Sequence, residues 1–315
     1  MPDMETREPP PAQSGSLFGG MDVGGSKIET CLFDDSFHAL ERRRVETACT
    51  TYEELLDCIV GEVRWLDSRA GRTVDLGIGL PGLVDQTTGR ALTSNLPATG
   101  RPLREDLVAK LGRSVAMAND CKCFALSEAN GGAGDGSEIT LGLILGTGVG
   151  GGVTRQGRLV LGHNDLPGEL GHLGVPGRLV AESALPMLLC GCGRIGCYET
   201  LVSGPGLVRL ASRHQGAGRS PADIAQLAAS GDEAMAATMR EWLTLLAELI
   251  HTAQCTIDMD CVVLGGGLSQ IPDVARMLAD TYRGRQIAGR ETRFAVARFG
   301  DASGTRGAAM LLTRS

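Results

Sequence analysis

One local pattern occurs twice in this chain, and it limits the possible folds more than any other feature of the sequence. Residues 16–33 (SLFGGMDVGGSKIETCLF) are two apolar, β-prone runs around a glycine turn, and residues 138–160 (EITLGLILGTGVGGGVTRQGRLV) repeat that arrangement. Such runs predict β-hairpins. Each hairpin precedes a mixture of helical and strand patterns, so the sequence predicts two successive α/β units with a cleft between them.

The segments after the hairpins complete both units. Residues 51–69 begin with a capping box, Thr51 with Glu54, and place apolar residues at helical spacing. The remaining predictions are strands at 74–82 and 114–120, a strand that leads through a glycine turn into a helix at 261–270, and helices at 121–130, from Ser220 onward, near 233–256 and within 299–315.

Composition excludes two classes of partner. The 315 residues include 30 basic and 37 acidic side chains, a net charge of −7, and the longest basic run is Arg42-Arg43-Arg44. Proteins that bind nucleic-acid phosphates usually concentrate basic residues, so no nucleic-acid partner is expected. No apolar run reaches the roughly 20 residues of a membrane span, so no membrane partner is expected either.

The N-terminus and the cysteine content indicate the compartment. Residues 1–16 (MPDMETREPPPAQSGS) lack the apolar core of a signal peptide, and we expect a disordered leader and a cytoplasmic protein. In that reducing compartment the ten cysteines do not form a disulfide framework. Five are expected to be small core residues: Cys31, Cys49, Cys58, Cys255 and Cys261.

Three other cysteines have the spacing of metal ligands. Cys190, Cys192 and Cys197 fall within a span of eight residues in a glycine-rich loop that follows His172 along the chain. One imidazole and three thiolates complete a tetrahedral Zn²⁺ site and leave no position for substrate, so the ion would be structural. The alternative is three unrelated surface thiols.

Glycine-rich turns in both hairpins are candidates for binding phosphate. In DVGGSK the glycines permit close approach of the backbone, Ser26 and Lys27 add a hydroxyl and a cation, and Asp22 is a candidate for binding Mg²⁺. Residues 146–152 (GTGVGGG) offer the same chemistry, and residues 264–270 (LGGGLSQ) are a candidate platform for a base or ribose. A plain hairpin turn is the alternative for DVGGSK alone, but two such turns facing each other favour a phosphate clamp.

Carboxylates near strand ends are candidates for chemistry. Asn119 and Asp120 lie where a predicted strand ends and a helix begins, which is where ligands collect in open α/β sheets. Asp120 is a candidate general base for a hydroxyl nucleophile, with a helix cap as the alternative. Glu169 and Glu199 flank the metal ligands, where they suit sugar hydroxyls or else lie on a solvated surface.

In their order along the chain, these motifs resemble those of the ROK family of sugar kinases (repressors, open reading frames and kinases), from about residue 18 to the C-terminus. The markers are DVGGSK, GIGLPG, Asn119-Asp120, GTGVGGG, GELGH, CGCGRIGCYE and VVLGGGLS. The resemblance implies an α/β protein with the duplicated two-domain fold of actin-like ATPases (ribonuclease H-like) and an active-site cleft between the domains. Residues 17–119 with 298–315 would form the N-terminal domain, and residues 120–297 the C-terminal domain with the zinc loop.

The resemblance implies an enzyme that phosphorylates a hexose with ATP and Mg²⁺. SNLPA (94–98), FALSEA (124–129) and the 18 positions from His172 to Cys190 are most similar to bacterial N-acetylglucosamine kinases, which implies N-acetyl-D-glucosamine 6-phosphate as the product. Alternatives are a fructokinase or glucokinase of the same family, or a non-catalytic sugar-binding regulator. Repressors of the family carry an N-terminal helix-turn-helix module, for which a 16-residue leader is too short. The resemblance also allows a homodimer.

Each matching residue acquires a role from the resemblance. Asp120 would accept the proton of the sugar hydroxyl. The sugar would be bound by Asn95, Asn119, Asp120, Glu169, His172 and Glu199, and the zinc ion by His172, Cys190, Cys192 and Cys197. ATP with its Mg²⁺ would be bound by Asp22, Gly24, Gly25, Ser26, Lys27, Gly146, Thr147, Gly148, Gly150, Gly151, Gly152, Gly265, Gly266 and Gly267.

Two positions depart from the family pattern. Ser26 replaces the usual threonine and keeps the hydroxyl. Cys121 and Lys122 stand where the family usually has Ala-Asn, and we expect Lys122 to lower the pKa of the nearby Asp120 or to pair with a phosphate.

Overall fold

The computed structural model describes residues 15–47, 49–85, 87–287 and 289–314. Residues 1–14, which make up most of the predicted leader, lie outside the described residues. Within the described ranges, no helix has both the length and the apolar character needed to cross a membrane.

A five-stranded sheet forms the centre of the first unit. The strands of this unit are β1 (Phe18–Val23), β2 (Lys27–Phe33), β3 (Ala39–Glu46), β4 (Asp75–Leu80), β5 (Gly82–Val84), β6 (Ala91–Thr93) and β7 (Ala116–Asn119). The sheet order is β3-β2-β1-β4-β7, with β2 antiparallel to both β1 and β3, and with β4 and β7 parallel to β1. The first predicted hairpin is confirmed as β1–β2. Because β1, β4 and β7 are parallel, their carboxyl ends lie along one edge.

Two helices, α1 (Tyr52–Ala70) and α2 (Leu103–Leu111), pack on this unit. The predicted capping box is confirmed, because the Thr51 hydroxyl accepts a hydrogen bond from the N–H of Glu54 at 3.3 Å and the Glu54 carboxylate accepts one from the N–H of Thr51 at 3.0 Å. α1 ends at Gly71, whose φ of 66° lies in the left-handed region that glycine adopts readily.

The second unit repeats the topology of the first sheet. Its strands are β8 (Ile139–Leu145), β9 (Val149–Arg155), β10 (Arg158–Leu159), β11 (Cys261–Gly265) and β12 (Arg293–Val296). Their order is β10-β9-β8-β11-β12, again with three antiparallel strands followed by two that run parallel to the central one. The same order and the same directions in both sheets confirm the predicted duplication.

Six helices surround the second sheet. They are α4 (Gly177–Ser183), α5 (Glu199–Val202), α6 (Gly204–Arg213), α7 (Pro221–Ala229), α8 (Glu233–Ile257) and α9 (Val274–Arg283). Ser220 caps α7, and α8 is the predicted long helix. Trp242 of α8 is fully buried and donates from its indole nitrogen to the carbonyl oxygen of Val202 at 3.0 Å, which ties α8 to the end of α5.

Two helices, α3 (Asp120–Glu128) and α10 (Ser303–Arg314), pack against each other between the sheets. α10 lies on β1 and β4, whereas α3 lies on β8 and β9. A Cβ atom at Gly307 would overlap the carbonyl oxygen of Cys123, so only glycine permits this approach. The packing places Asp120, the first residue of α3, at the junction of the two units, and the exact domain boundaries stay a prediction.

Candidate active site

The end of β7 presents Asn119 and Asp120 to this junction. Asn119 is buried, and its side chain caps α3 by accepting a hydrogen bond from the N–H of Cys121 at 2.9 Å. Its amide nitrogen donates to the carbonyl oxygen of Gly82 at 3.0 Å and holds the β5–β6 hairpin against β7. Asp120 also accepts from the Cys121 N–H, at 2.8 Å through Oδ1. Asn119 and Asp120 therefore share one backbone donor at the start of α3.

A second carboxylate shares this corner. Asp22 pairs across the sheet with Gly79, and a Cβ atom at Gly79 would lie 3.7 Å from the Cα of Asp120. Burial, followed by the charges of Asp120 and Glu29, raises the pKa of Asp22 to about 7, against a lowering by Lys27. Burial also raises the pKa of Asp120, against the hydrogen bond that its carboxylate accepts from the backbone. Neighbouring carboxylates with raised pKa values are typical of cation-binding and proton-transfer sites.

The first predicted phosphate turn is open to solvent. It joins β1 to β2, and the Gly24 N–H closes it by donating to the carbonyl oxygen of Lys27 at 2.9 Å. Gly25, Ser26 and Lys27 are exposed. Thr47, which the sequence did not single out, holds the turn: its N–H donates to Ser26 O at 3.0 Å and its hydroxyl to Gly24 O at 2.8 Å. The turn therefore has free surface for a ligand and a fixed backbone behind it.

Asn95 lies directly beside this turn. It is exposed in the loop after β6, and a Cβ atom at Gly25 would lie 2.8 Å from the Cβ of Asn95. The structure thus brings Asn95 to the phosphate turn, and its contact with a sugar stays a prediction.

The second glycine run has two parts with different surroundings. Gly146, Thr147 and Gly148 form the turn between β8 and β9, whereas Gly150, Gly151 and Gly152 belong to β9. A Cβ atom at Gly150 would lie 2.6 Å from Sγ of Cys121, and one at Gly152 would lie 2.8 Å from Cα of Lys122. These glycines let β9 pack on α3. Because Gly151 and Gly152 are buried, the predicted contact with ATP phosphates does not fit them and applies to the turn alone.

The third glycine segment also divides. Gly265 is buried at the end of β11 against the ring of Phe124, whereas Gly266 and Gly267 are exposed. Gly266 has a φ of 79°, and a Cβ atom there would lie 2.5 Å from the carbonyl oxygen of Leu145, at the end of β8. Gly266 and Gly267 therefore lie beside the second turn, where a nucleoside platform is predicted.

The four predicted metal ligands form one cluster. The candidate ligand atoms of His172, Cys190, Cys192 and Cys197 all lie within 4.8 Å of one another. Sγ of Cys190 is 3.6 Å from Nδ1 of His172, and the sulfurs of Cys192 and Cys197 are 3.7 Å apart. Ligands around a tetrahedral zinc ion are separated by about 3.8 Å, so this donor set and its spacing fit Zn²⁺. The alternative of three unrelated thiols is wrong.

The cluster touches both predicted sugar-binding glutamates. His172 turns Nδ1 to the sulfurs, while its Nε2 lies 3.9 Å from the carboxylate of Glu169. Glu199 accepts a hydrogen bond from the thiol of Cys190 at 3.4 Å and another from the N–H of Val149 at 3.0 Å. A metal bound by His172 and Cys197 would hold the neighbouring Glu169 and Glu199 in place, and Glu199 in turn holds the start of β9. A metal-bound Cys190 would be a thiolate and would no longer donate to Glu199.

Lys122 does not occupy the predicted position. Its ammonium group pairs with the carboxylate of Asp165 and also donates to the carbonyl oxygen of that residue, and the two side chains are only 1% and 6% exposed. The prediction that Lys122 pairs with a phosphate is wrong, because Asp165 takes up its charge. Burial raises the pKa of Glu169, and the charges of His172 and Lys122 oppose it. The pKa of Asp120 is raised by burial, so the predicted lowering by Lys122 is wrong as well.

Asp120 lies between the two halves of the site. Burial is the main reason why the pKa values of Asp22, beside the first turn, and Glu169, beside the metal cluster, are raised, and the negative charge of Asp120 adds to both. A hydroxyl group held between these carboxylates would meet Asp120 as a proton acceptor.

Comparisons with known proteins cover nearly the whole chain. The sequence model described as the ROK family matches residues 18–315. An N-acetylgalactosamine kinase of Shewanella sp. strain ANA-3 is 38% identical over 299 residues, which are 94% of this chain and 96% of the relative. An N-acetyl-D-glucosamine kinase of Shigella sonnei strain Ss046 is also 38% identical, over 94% of this chain and 99% of the relative.

Solved structures show the same fold. A ROK hexokinase from Thermus thermophilus superposes with a TM-score of 0.83 at 29% identity and covers 94% of this chain and 97% of its own. A ROK glucokinase from Streptomyces griseus, solved with glucose and AMPPNP, gives a TM-score of 0.72 at 28% identity over 94% and 99% of the two chains. The predicted actin-like, duplicated two-domain fold is confirmed.

Proposed function

The chain belongs to the ROK family, and from that premise we propose that it transfers the γ-phosphoryl group of ATP to the 6-hydroxyl of N-acetyl-D-glucosamine. The observation that carries the proposal is the position of Asp120 at the start of α3, beside Gly79, which is the cross-strand partner of Asp22 near the first turn. The proposed enzyme is an ATP-dependent hexose kinase, and the product is N-acetyl-D-glucosamine 6-phosphate.

The sugar would be held mainly by the second unit and the end of β7. Glu169, Glu199 and Nε2 of His172 offer acceptors and a donor for ring hydroxyls, and Asn119 adds an amide. Fixed polar groups of this kind hold the reacting hydroxyl close to the phosphate and reduce the entropic part of the barrier.

The chemical step needs a proton acceptor and charge neutralisation. As the O6–P bond forms and the bond to ADP breaks, the O6 proton passes to a carboxylate oxygen of Asp120. A carboxylate whose pKa is raised by burial is a stronger base, and a positioned general base contributes about 10² to 10⁴-fold to the rate. Phosphoryl transfer otherwise depends on positioning and on charges around the phosphate.

ATP would lie across the junction. The open turn at Gly24–Lys27 offers backbone N–H groups, the Ser26 hydroxyl and the Lys27 ammonium, and the turn at Gly146–Gly148 would contribute to the same cleft from the second unit. Asp22 is suited to Mg²⁺, which would neutralise phosphate charge. Gly266 and Gly267 would lie under the nucleoside.

The zinc ion that we propose is structural. His172, Cys190, Cys192 and Cys197 would supply all four ligands, and the bound ion would hold the loop from Glu169 to Glu199 in one conformation. Closure of the two units around the bound sugar would exclude water and limit ATP hydrolysis.

The two relatives named above are kinases of different sugars, which are epimers at C4. An N-acetylgalactosamine kinase and an N-acetyl-D-glucosamine kinase are equally identical to this chain, at 38%. N-acetyl-D-galactosamine is therefore a second candidate substrate, beside the fructose and glucose alternatives. For cellular partners we propose only the sugar and ATP, in the cytoplasm, and a homodimer stays a prediction.

A coupled assay of ADP release with a hexose panel tests the function. The zinc-loaded protein would be given N-acetylglucosamine, N-acetylgalactosamine, N-acetylmannosamine, glucose and fructose, with Mg²⁺ and ATP. We expect the largest kcat/KM for N-acetylglucosamine and a 6-phosphate product by NMR. Fructose or glucose as the best substrate would support those alternatives, and sugar binding without ADP release from any hexose would support the non-catalytic regulator.

A further inference from the structure

A buried ion pair joins the start of α3 to the segment that carries Glu169. Lys122 lies in the first turn of α3, two residues after Asp120, and Asp165 lies four residues before Glu169. The exposed fractions of the paired side chains are 1% and 6%. Neither residue belongs to the substrate-binding set proposed above.

Lys122 contacts both the side chain and the backbone of Asp165. The Lys122 ammonium contacts the carboxylate and also donates to the carbonyl oxygen of the same residue. Asp165 has a φ of 58°, in the left-handed region that non-glycine residues adopt at a cost, although Asp and Asn tolerate it best. The contact with Lys122 therefore holds a turn whose backbone would otherwise favour other conformations.

The turn that Lys122 holds ends at Glu169, which is one of the proposed sugar-binding residues. The N–H of Glu169 donates to the carbonyl oxygen of Leu166 at 3.1 Å, and Gly168, at a φ of 106°, packs on the backbone of Gly151 in β9. Asp165 and Glu169 are thus only four positions apart in the sequence. A displacement at Asp165 would move Glu169 relative to Asp120, because Lys122 and Asp120 share one helical turn.

Two charges taken out of water lose hydration, and a buried pair often stabilises a fold no more than apolar residues would. Stability alone therefore explains this pair poorly. We propose that Lys122 and Asp165 are positioning residues that set the distance between the base Asp120 and the sugar-binding Glu169. This inference rests on the proposed sugar kinase function. It assigns the pair to sugar binding and not to ATP binding, because the first turn and the Gly266–Gly267 loop lie outside the tethered segment. The second turn is held separately, by Glu199 and Gly204.

Four variants test the pair: Lys122→Met, Asp165→Asn, the double variant Lys122→Met/Asp165→Asn, and the conservative Lys122→Arg. Asn keeps the left-handed conformation at position 165. For each variant, kcat, the KM for sugar and the KM for ATP would be measured at saturating co-substrate, together with the unfolding temperature. Arg178→Met, which breaks the Arg178–Glu248 ion pair on the outer helices, is the matched control.

We expect the two single variants to raise the sugar KM at least tenfold and to leave the ATP KM within twofold. Lys122→Arg should stay within about threefold of wild type, because a guanidinium can pair with Asp165. The double variant should recover much of the unfolding temperature, since no buried charge is left unpaired, but not the sugar KM. Arg178→Met should change neither KM.

Three results would overturn the inference: a sugar KM within twofold of wild type in the single variants, equal increases in both KM values, or recovery of the sugar KM in the double variant. If a single variant does not fold, the double variant and Lys122→Arg still decide between these outcomes. A wild-type protein that phosphorylates no hexose would instead refute the proposed function, so the two failures are distinguishable.

Discussion

The two glycine-turned hairpins have the same place in their sheets, yet their turns are held by different means. The first turn is supported from its own unit by Thr47, just after β3. The second depends on the end of the cysteine loop and on the start of α6: Glu199 accepts from the N–H of Val149, and the N–H of Gly204 donates to the carbonyl oxygen of Gly146 at 2.8 Å. One turn is therefore independent of the metal cluster and the other is coupled to it.

This difference predicts which perturbations affect which substrate. Changes at the cysteine cluster should reach the sugar carboxylates and the second turn, whereas changes at the first turn should act on the neighbouring Asn95 and on ATP. Single substitutions can therefore perturb one of the two turns at a time.

Among the changes that distinguish the two turns, the largest effect is expected from loss of the metal cluster. Cys190→Ser, or removal of zinc by a chelator, should lower kcat/KM for the sugar by more than about 100-fold, because Glu169 and Glu199 lose their common support. Metal content by elemental analysis and sugar kinetics would be measured together. Cys255→Ser is the control and should change neither, because Cys255 lies outside the cluster and is exposed. The prediction that Cys255 is a core residue is therefore wrong. Unchanged sugar kinetics in zinc-free protein would contradict the coupling.

A smaller effect, mainly on stability, is expected from Gly168→Ala. Gly168 has a φ of 106°, and a Cβ atom there would overlap the carbonyl oxygen of Gly151. The strain and the overlap should together cost about 2 to 4 kcal/mol in the free energy of unfolding. Denaturant titration measures this, with Gly177→Ala, which has open space around its Cβ position, as control. Equal stability of the two variants would refute the close packing of this turn on β9.

At the first turn, Gly25→Ala should change the kinetics more than the stability. The added Cβ atom would lie 2.8 Å from the Cβ of Asn95, so the exposed loop must move away from the first turn. We expect a rise of about three- to tenfold in the KM for ATP, with an unfolding free energy within about 1 kcal/mol of wild type. Gly61→Ala, in α1, is the control. A large loss of stability would show that the first turn is no more independent than the second.

A further effect concerns pH. The pKa of Asp22 is about 7 in the folded protein, against about 3.9 for an unfolded aspartate. Between these values the folded state binds more protons than the unfolded state, so Asp22 makes the ligand-free protein less stable as pH rises from about 4 to 7. Asp22→Asn should remove this part of the decline and also weaken Mg²⁺-dependent activity. Thermal unfolding across that pH range checks the first point, and an unchanged slope in the variant would refute it.

Local patterns explain why much of the fold was predictable. The hairpins, the capping box of α1 and the strand–helix junction at Asp120 are determined by residues close together in sequence. The edge strand β3 was missed because its mostly exposed, charged sequence, ALERRRVE, has no apolar alternation. Its place depends on pairing with β2, where Arg42 and Arg44 contact the buried Glu29, and no local rule reveals such contacts.

The candidate site was predictable to a similar extent. The ligand spacing of the cysteine loop is visible in the sequence, and the cluster is confirmed. The two parts of GTGVGGG look alike in sequence, but only the structure separates a turn from the glycines that pack on α3. Lys122 was given the wrong partner because Asp165 lies 43 residues away and carries no motif.

The central claim is that Asp120 accepts the proton of a sugar hydroxyl held between the two units. Asp120→Asn tests it most directly, with Asp75→Asn, an exposed carboxylate at the opposite end of β4, as the matched control. We predict that kcat falls by about 10² to 10⁴-fold, while the Kd for the sugar, measured by calorimetry, stays within about threefold of wild type. Turnover close to that of the control, with the sugar bound normally, would contradict the account.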